Sequence, residues 1–225
     1  MRESGVSDPH AAGRVLEGGA PLSRADAAVV LLHGRGGSPG DMLGLAEHLA
    51  LPELAFLAPE AAGRSWWPRS FLAPLEQNEP GLSSALGVVA GLVARIEAES
   101  VTRDRIAVMG FSQGGCLALE HAARTGGPLL AVIGLSAGLV GTAEAEGPPI
   151  HGHPPKGLDY GARLDRVPAL VTVHERDPHI PLDRAVDSRG VLDRMGARAE
   201  IVVHPGAGHG VTPDDLRAVR RLLNR

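Results

Sequence analysis

Cysteine is nearly absent from this chain. Cys116 is the only one in 225 residues, so no intramolecular disulfide can brace the fold. Aromatic residues are scarce as well, at 3% of the chain, which leaves the core to aliphatic side chains and makes the adjacent pair Trp66-Trp67 conspicuous. Basic charge is not in excess: 22 Lys and Arg stand against 26 Asp and Glu, a formal charge of −4. Without a cationic footprint, nucleic acid is not an expected partner. Residues 1–19 are polar and carry no apolar h-region, and no long apolar span is evident. Neither secretion nor stable membrane insertion is signalled, and a cytoplasmic location is the expectation. His151, His153, His174 and His179 come without a helical His-Glu-x-x-His or a cysteine framework, so they read as solvated or structural histidines and no metal is expected.

What the chain does have is Val108-Met109-Gly110-Phe111-Ser112-Gln113-Gly114-Gly115-Cys116, a Gly-x-Ser-x-Gly run between a strand-like and a helix-like apolar stretch. So sharp a turn strains the serine backbone, and Gly110 and Gly114 remove side chains that would collide there. Ser112 is then presented at a helix N-terminus, where the amide of Gln113 can stabilise an anion. The flanking strand at 105–109 and helix at 113–123 separate this reading from an ordinary βα turn. Cys116, one helical turn on, reads as a small core residue.

Upstream, Ala28-Val29-Val30-Leu31-Leu32 reads as a strand buried on both faces, ending in His33-Gly34-Arg35-Gly36-Gly37-Ser38. Such a loop can turn the Arg35 amide towards the serine as a second oxyanion donor; its spacing is that of neither a dinucleotide fingerprint nor a P-loop. His33 shapes the loop. The acid and the histidine should follow the serine, in that order. Asp177 sits past the strand at 167–173, and His209 lies in the loop Gly206-Ala207-Gly208-His209-Gly210 after the strand at 199–203. Glu175 is the competing acid and His204 the competing base; Asp177 is preferred because it lies further out, where a loop can bend back, and His204 because it follows the strand directly reads as a strand-end residue.

Strands and helices alternate, which predicts a mostly parallel sheet with helices on both faces. Ser38 and Pro39 open a helix with Met42, Leu45, Ala46 and Leu49 on one face, and 54–58 is the next strand. Residues 59–80 form a long loop, in which Asn78 and Pro80 are expected to cap and begin a helix bearing Leu82, Leu86, Val89, Val93 and Ile96. Further elements are a strand at 129–135, a helix near 182–195, and a last helix opened by Thr212 and Pro213. The stretch 141–157 reads as an irregular excursion without the apolar stripe of a lid. The expected organisation is an N-terminal segment, 1–20, and one domain, 21–225.

Together these residues resemble the phospholipase/carboxylesterase family of α/β-hydrolases, in its bacterial carboxylesterase branch, from about Val15 onward. The likeness rests on Leu32-His33-Gly34-Arg35-Gly36-Gly37, Gly63-Arg64-Ser65-Trp66-Trp67-Pro68, Gln77-Asn78-Glu79-Pro80, Gly110-Phe111-Ser112-Gln113-Gly114-Gly115, Asp177-Pro178-His179-Ile180-Pro181 and Gly206-Ala207-Gly208-His209. His174-Glu175 departs from it, where relatives usually carry a glycine or small residue. The resemblance implies an α/β-hydrolase fold without a large lid, a Ser112, Asp177, His209 triad, and oxyanion donors at Arg35 and Gln113. The expected reaction is hydrolysis of short to medium acyl esters through an acyl-enzyme, without a cofactor, with Trp66 and Trp67 as an apolar wall. The partner is a small-molecule ester or thioester, and a homodimer is kept open. An acyl thioesterase or lysophospholipase would use the same residues; a ligand receptor on a hydrolase fold is the alternative outside enzymes.

Overall fold

The computed structural model describes residues 8–99 and 101–224. Seven strands form one sheet in the order β1-β3-β2-β4-β5-β6-β7. They are β1 (Val15–Gly19), β2 (Ala27–Leu32), β3 (Leu54–Pro59), β4 (Ile106–Phe111), β5 (Ala131–Leu135), β6 (Pro168–Arg176) and β7 (Arg198–Ala207). All neighbours pair in parallel except β1, which runs antiparallel to β3 at one edge. β1 lies inside the segment that the sequence set apart as residues 1–20. Only half-buried and ending in two glycines, it has no apolar run to announce it.

The period of two along the central strands sorts their side chains between two cores. Ala28, Val30 and Leu32 of β2 face one way with Val108 and Val132. That face is covered by α2 (Gly81–Ala98), α3 (Gln113–Thr125) and α4 (Leu182–Arg194). Val29 and Leu31 face the other way with Met109 and Ile133, under α1 (Pro39–Glu47) and α5 (Pro213–Leu223). Both outer helices start on a reciprocal cap: Ser38 with Asp41, and Thr212 with Asp215, each followed by proline at the first position.

Two expectations need correcting. α2 is 18 residues of mean hydropathy 1.4, long and apolar enough to cross a bilayer, so a membrane-length apolar run does exist. Its stripe of Leu82, Ala85, Val89, Val93 and Ile96 is packed on the sheet. Nor does Asn78 cap that helix. It is fully buried, its Oδ1 accepting from the Arg69 amide and its Nδ2 donating to the Ser70 carbonyl, both at 2.9 Å. Glu79 serves the helix start instead, accepting from the Ser83 amide at 3.1 Å.

The excursion at 141–157 holds two isolated bridges, Glu144 with Lys156 and Ile150 with His153, and no helix. Its Pro148, Pro149, Ile150 and His151 share a surface pocket with Glu175, Arg176 and Asp177 at the carboxyl end of β6.

Candidate active site

Register places the candidate residues. Leu32 of β2 lies beside Gly110 of β4, and Phe111 beside Leu135 of β5, so the loop after β2 and the turn after β4 emerge as neighbours. Two strands further on, β6 and β7 run together as far as Arg176 and Ala207. Asp177 follows the first of these ends directly, and His209 comes two residues after the second.

The turn from β4 to α3 is as tight as its glycines suggested. Ser112 has φ 53° and ψ −119°, a strained conformation for a residue with a Cβ. A Cβ on Gly110 would overlap the backbone of Gly114, and one on Gly114 would overlap the carbonyls of Leu32 and His33. Gly114→Ala must therefore push α3 away from β2, and we expect it to destabilise the fold by about 1–3 kcal/mol. Comparing denaturant midpoints of the two proteins checks this; equal midpoints would mean the elbow has slack.

Ser112 Oγ lies 2.9 Å from His209 Nε2, and His209 Nδ1 lies 2.8 Å from Asp177 Oδ2. The Asp177 side chain has no solvent exposure, and its Oδ1 also accepts from the amides of His179 at 2.8 Å and Ile180 at 3.0 Å. Burial pushes this carboxyl up, but the His209 hydrogen bond, the two amides and the histidine's charge outweigh it and hold it below the usual value. An ionised Asp177 fixes the proton on Nδ1 and leaves Nε2 free to accept from the serine hydroxyl. The ring is also packed, with Phe111 tilted against it at 5.1 Å and His179 edge-on at 4.8 Å.

The loop after β2 closes on the same point. A Cβ on Gly34 would sit 3.3 Å from Ser112 Cβ, so Arg35 begins beside the serine. Among the described residues, neither the Arg35 amide nor the Gln113 amide has a protein acceptor. His33 holds the loop from beneath. Its Nε2 accepts from the Ala61 amide at 3.1 Å, so Nδ1 must carry the proton it donates to the Gly34 carbonyl at 2.8 Å. Burial lowers its pKa, in keeping with that neutral form.

A cavity of about 640 Å³ opens over Ser112, lined among others by Trp67, Arg69, Phe71, Phe111, Ile180 and His209. Trp67 lines it but Trp66 does not. Trp66 is fully buried, donating from Nε1 to the His33 carbonyl at 2.9 Å and packed between the rings of His10 and His33, so it supports the loop from within and forms no part of the substrate wall expected of it. The side chain of Gln113 clamps this segment, accepting from the Trp66 amide at 2.9 Å and donating to the Trp67 carbonyl at 2.8 Å. Arg35 secures the next stretch, donating to the Pro68 carbonyl at 3.1 Å and the Arg69 carbonyl at 2.6 Å.

The rejected candidates have other tasks. Glu175 is exposed and accepts from the Gly206 amide at 2.9 Å, tying down the loop that carries His209. His204 is bonded to Asp215 at 2.7 Å, behind the site. Cys116 lines the cavity, but burial pushes its thiol up to about 12, far from a nucleophilic thiolate near neutrality. Sequence reasoning read His179 as solvated or structural and gave no site role to Phe71 and Ile180 on the cavity wall, or to His10, which accepts from the Ala62 amide and bonds the Trp66 carbonyl. Phe71 and His10 lie in segments without periodicity and give no signal. His179 could have been noticed as a ring two residues beyond the chosen acid.

A strained serine between β4 and α3, with acid and histidine at the ends of β6 and β7 in a mostly parallel sheet, defines an α/β-hydrolase. The model of the phospholipase/carboxylesterase family matches residues 19–225, and the chain belongs to that family of hydrolases. A solved phospholipase/carboxylesterase from Dyadobacter fermentans DSM 18053 is 36% identical, over 95% of this chain and 97% of that one, with a TM-score of 0.84. The solved esterase PE8 is 25% identical over 94% and 97%, with a TM-score of 0.71. The carboxylesterase of Bacillus cereus shares the fold at 18% identity, over 95% and 94%, with a TM-score of 0.68.

Proposed function

We propose that this protein is a serine carboxylesterase that hydrolyses short to medium acyl esters through an acyl-enzyme. The observation that carries the reading is the unbroken hydrogen-bonded series from Ser112 Oγ through His209 to Asp177, at the mouth of an apolar-walled cavity. His209 Nε2 takes the serine proton as Oγ attacks the ester carbonyl carbon. The carbonyl oxygen becomes an oxyanion, held by the amides of Arg35 and Gln113. When the carbonyl re-forms, the carbon–alkoxy bond breaks and His209 returns the proton to the leaving alcohol. Water, deprotonated by His209, then attacks the acyl-serine and releases the acid, and Oγ recovers its proton. Because Asp177 is held below the usual carboxylate value, it stays ionised through the cycle and keeps the His209 proton on Nδ1.

The esterase reading is favoured over a receptor because the Ser112 hydroxyl and the imidazole already stand at bonding distance. A thioester would be attacked by the same atoms. A panel of p-nitrophenyl esters and acyl-CoA thioesters of graded chain length tests this directly. We expect turnover of short and medium esters in free solution, without a jump when substrate exceeds its solubility, in keeping with an excursion at 141–157 that holds no helix. Absence of turnover on every activated ester would favour the receptor.

A further inference from the structure

The excursion at 141–157 sends one charged side chain inward. Lys156 is 6% exposed, and its Nζ donates to the carbonyls of Phe71 and Ala73, the latter at 2.9 Å. Phe71 lines the cavity over Ser112, so the ammonium grips a cavity wall from behind. Asn78 and Arg35 fasten the wall as far as Ser70. Lys156 takes the carbonyls beyond it.

No carboxylate is within ion-pair distance of this ammonium among the described residues. Glu120 of α3 is the acidic group of the neighbourhood, and it is occupied by Arg124 at 2.8 Å, the Tyr160 hydroxyl at 2.7 Å and the Val140 amide at 2.8 Å. Arg184 of α4 spends its guanidinium on the Leu139 and Val140 carbonyls at 2.9 and 2.8 Å. A buried ammonium without a counter-ion is costly, and an apolar side chain of similar length would fill the space without that cost. What the charge adds is two directed, charge-assisted bonds to one stretch of backbone.

We propose that Lys156 sets the acyl-chain selectivity of the site, by holding the Phe71 wall in position through the Phe71 and Ala73 carbonyls. This rests on the esterase reading above. The anchor depends on charge. Burial, reinforced by Arg184 and Arg124 and opposed by Glu120 and Cys116, brings the Lys156 ammonium down to about 8. Cys116 and Tyr160 are both pushed upward, chiefly by burial, and arginines stay protonated, so Lys156 is the group of this cluster that loses a proton just above neutrality.

Stability and selectivity should then move in opposite directions. Between about 8 and 10.5 the unfolded chain binds more protons than the folded one, so Lys156 makes the fold more stable as pH rises through that window. Over the same window the carbonyl bonds lose their charge assistance and the wall slackens. A lysine that served only the fold would change stability over this window and leave selectivity where it was.

The test compares kcat/KM for p-nitrophenyl acetate, butyrate and octanoate at about pH 7 and about pH 9.5, alongside the emission of the two tryptophans, of which Trp67 lines the same cavity. We expect the ratio between best and worst chain length to shrink about fivefold in the parent as pH rises, the loss of one charge-assisted bond's advantage. Lys156→Met should show the flattened profile at both pH values. Lys156→Arg, which keeps its charge, should keep the steep profile at both. Tryptophan emission should shift over the same range in the parent and hold still in Lys156→Arg. A parent whose selectivity and emission ignore this range would overturn the proposal, as would a folded Lys156→Met with the parent's profile. If Lys156→Met does not fold, the parent and Lys156→Arg decide between them. If no ester is turned over while the emission shift follows Lys156, the wall anchor stands and the esterase reading falls.

Discussion

Ser112→Ala is expected to lower kcat by about a million-fold while leaving the fold as it is. The hydroxyl is lost together with the bond it forms, so no acyl-enzyme can accumulate, and what remains is the rate supplied by binding and by the oxyanion donors. Stability should change little, because among the described residues Oγ bonds His209 alone and alanine meets the same backbone strain at φ 53° as serine does. His209→Ala should be about as severe, and the double variant no worse than either single one, because the two groups act in one proton transfer. Single-turnover kinetics on p-nitrophenyl butyrate with matched thermal melts would read both quantities. A variant keeping more than a small fraction of the parent's kcat would remove Ser112 from the chemistry.

Asp177→Asn is expected to cost roughly 10⁴ in kcat with little change in structure. The reason lies in which oxygen does what. Oδ1 accepts from the amides of His179 and Ile180 and also stands 3.0 Å from His209 Nδ1, while Oδ2, free of the amides, makes the shorter contact to Nδ1 at 2.8 Å. An asparagine must keep its oxygen on the two amides, which turns its NH₂ towards the imidazole. Nδ1 then has to accept, the ring proton moves to Nε2, and the ring can no longer take a proton from Ser112. Glu175→Gln should be mild, since an amide oxygen can still accept from Gly206. A reversed ranking of these two variants would transfer the acid's role to Glu175. The sign of the stability effect follows as well: the carboxyl is held below its ordinary value, so its contribution is complete above the unfolded-state value and is lost as pH falls through the folded one.

The parts of this site that could be read from sequence are those whose geometry is imposed locally. Gly110 and Gly114 are needed because backbone passes where their side chains would be. β2 and β4 are apolar along both faces, and β6 is buried on both from Pro168 to Val173 before its polar end, and that continuity marks them as central. Asp177 and His209 then follow from chain order and from the rule that sites gather at the carboxyl ends of parallel strands. The cavity wall obeys no such local rule. Residues 59–80 are aperiodic, and their shape is fixed by side chains from elsewhere: His33, Arg35, Gln113 and Lys156. That is why Trp66 and Trp67, adjacent and alike in sequence, separate into a buried support and a cavity residue. Asn78 misled for a related reason. Before a helix an asparagine reads as a cap, but here its amide is committed to the Arg69–Ser70 backbone. The half-buried β1 is held by its partner strand and has no apolar run of its own.

If Ser112 attacks the carbonyl carbon as a nucleophile activated by His209, as proposed, a covalent adduct must form on its Oγ. Treated with a fluorophosphonate, the parent should take up one phosphonyl group per chain, located on Ser112 by peptide mass spectrometry. Labelling should slow sharply in His209→Ala and vanish in Ser112→Ala, with both variants folded. A folded parent that leaves Ser112 unlabelled, or labels as fast without His209 as with it, would contradict the account.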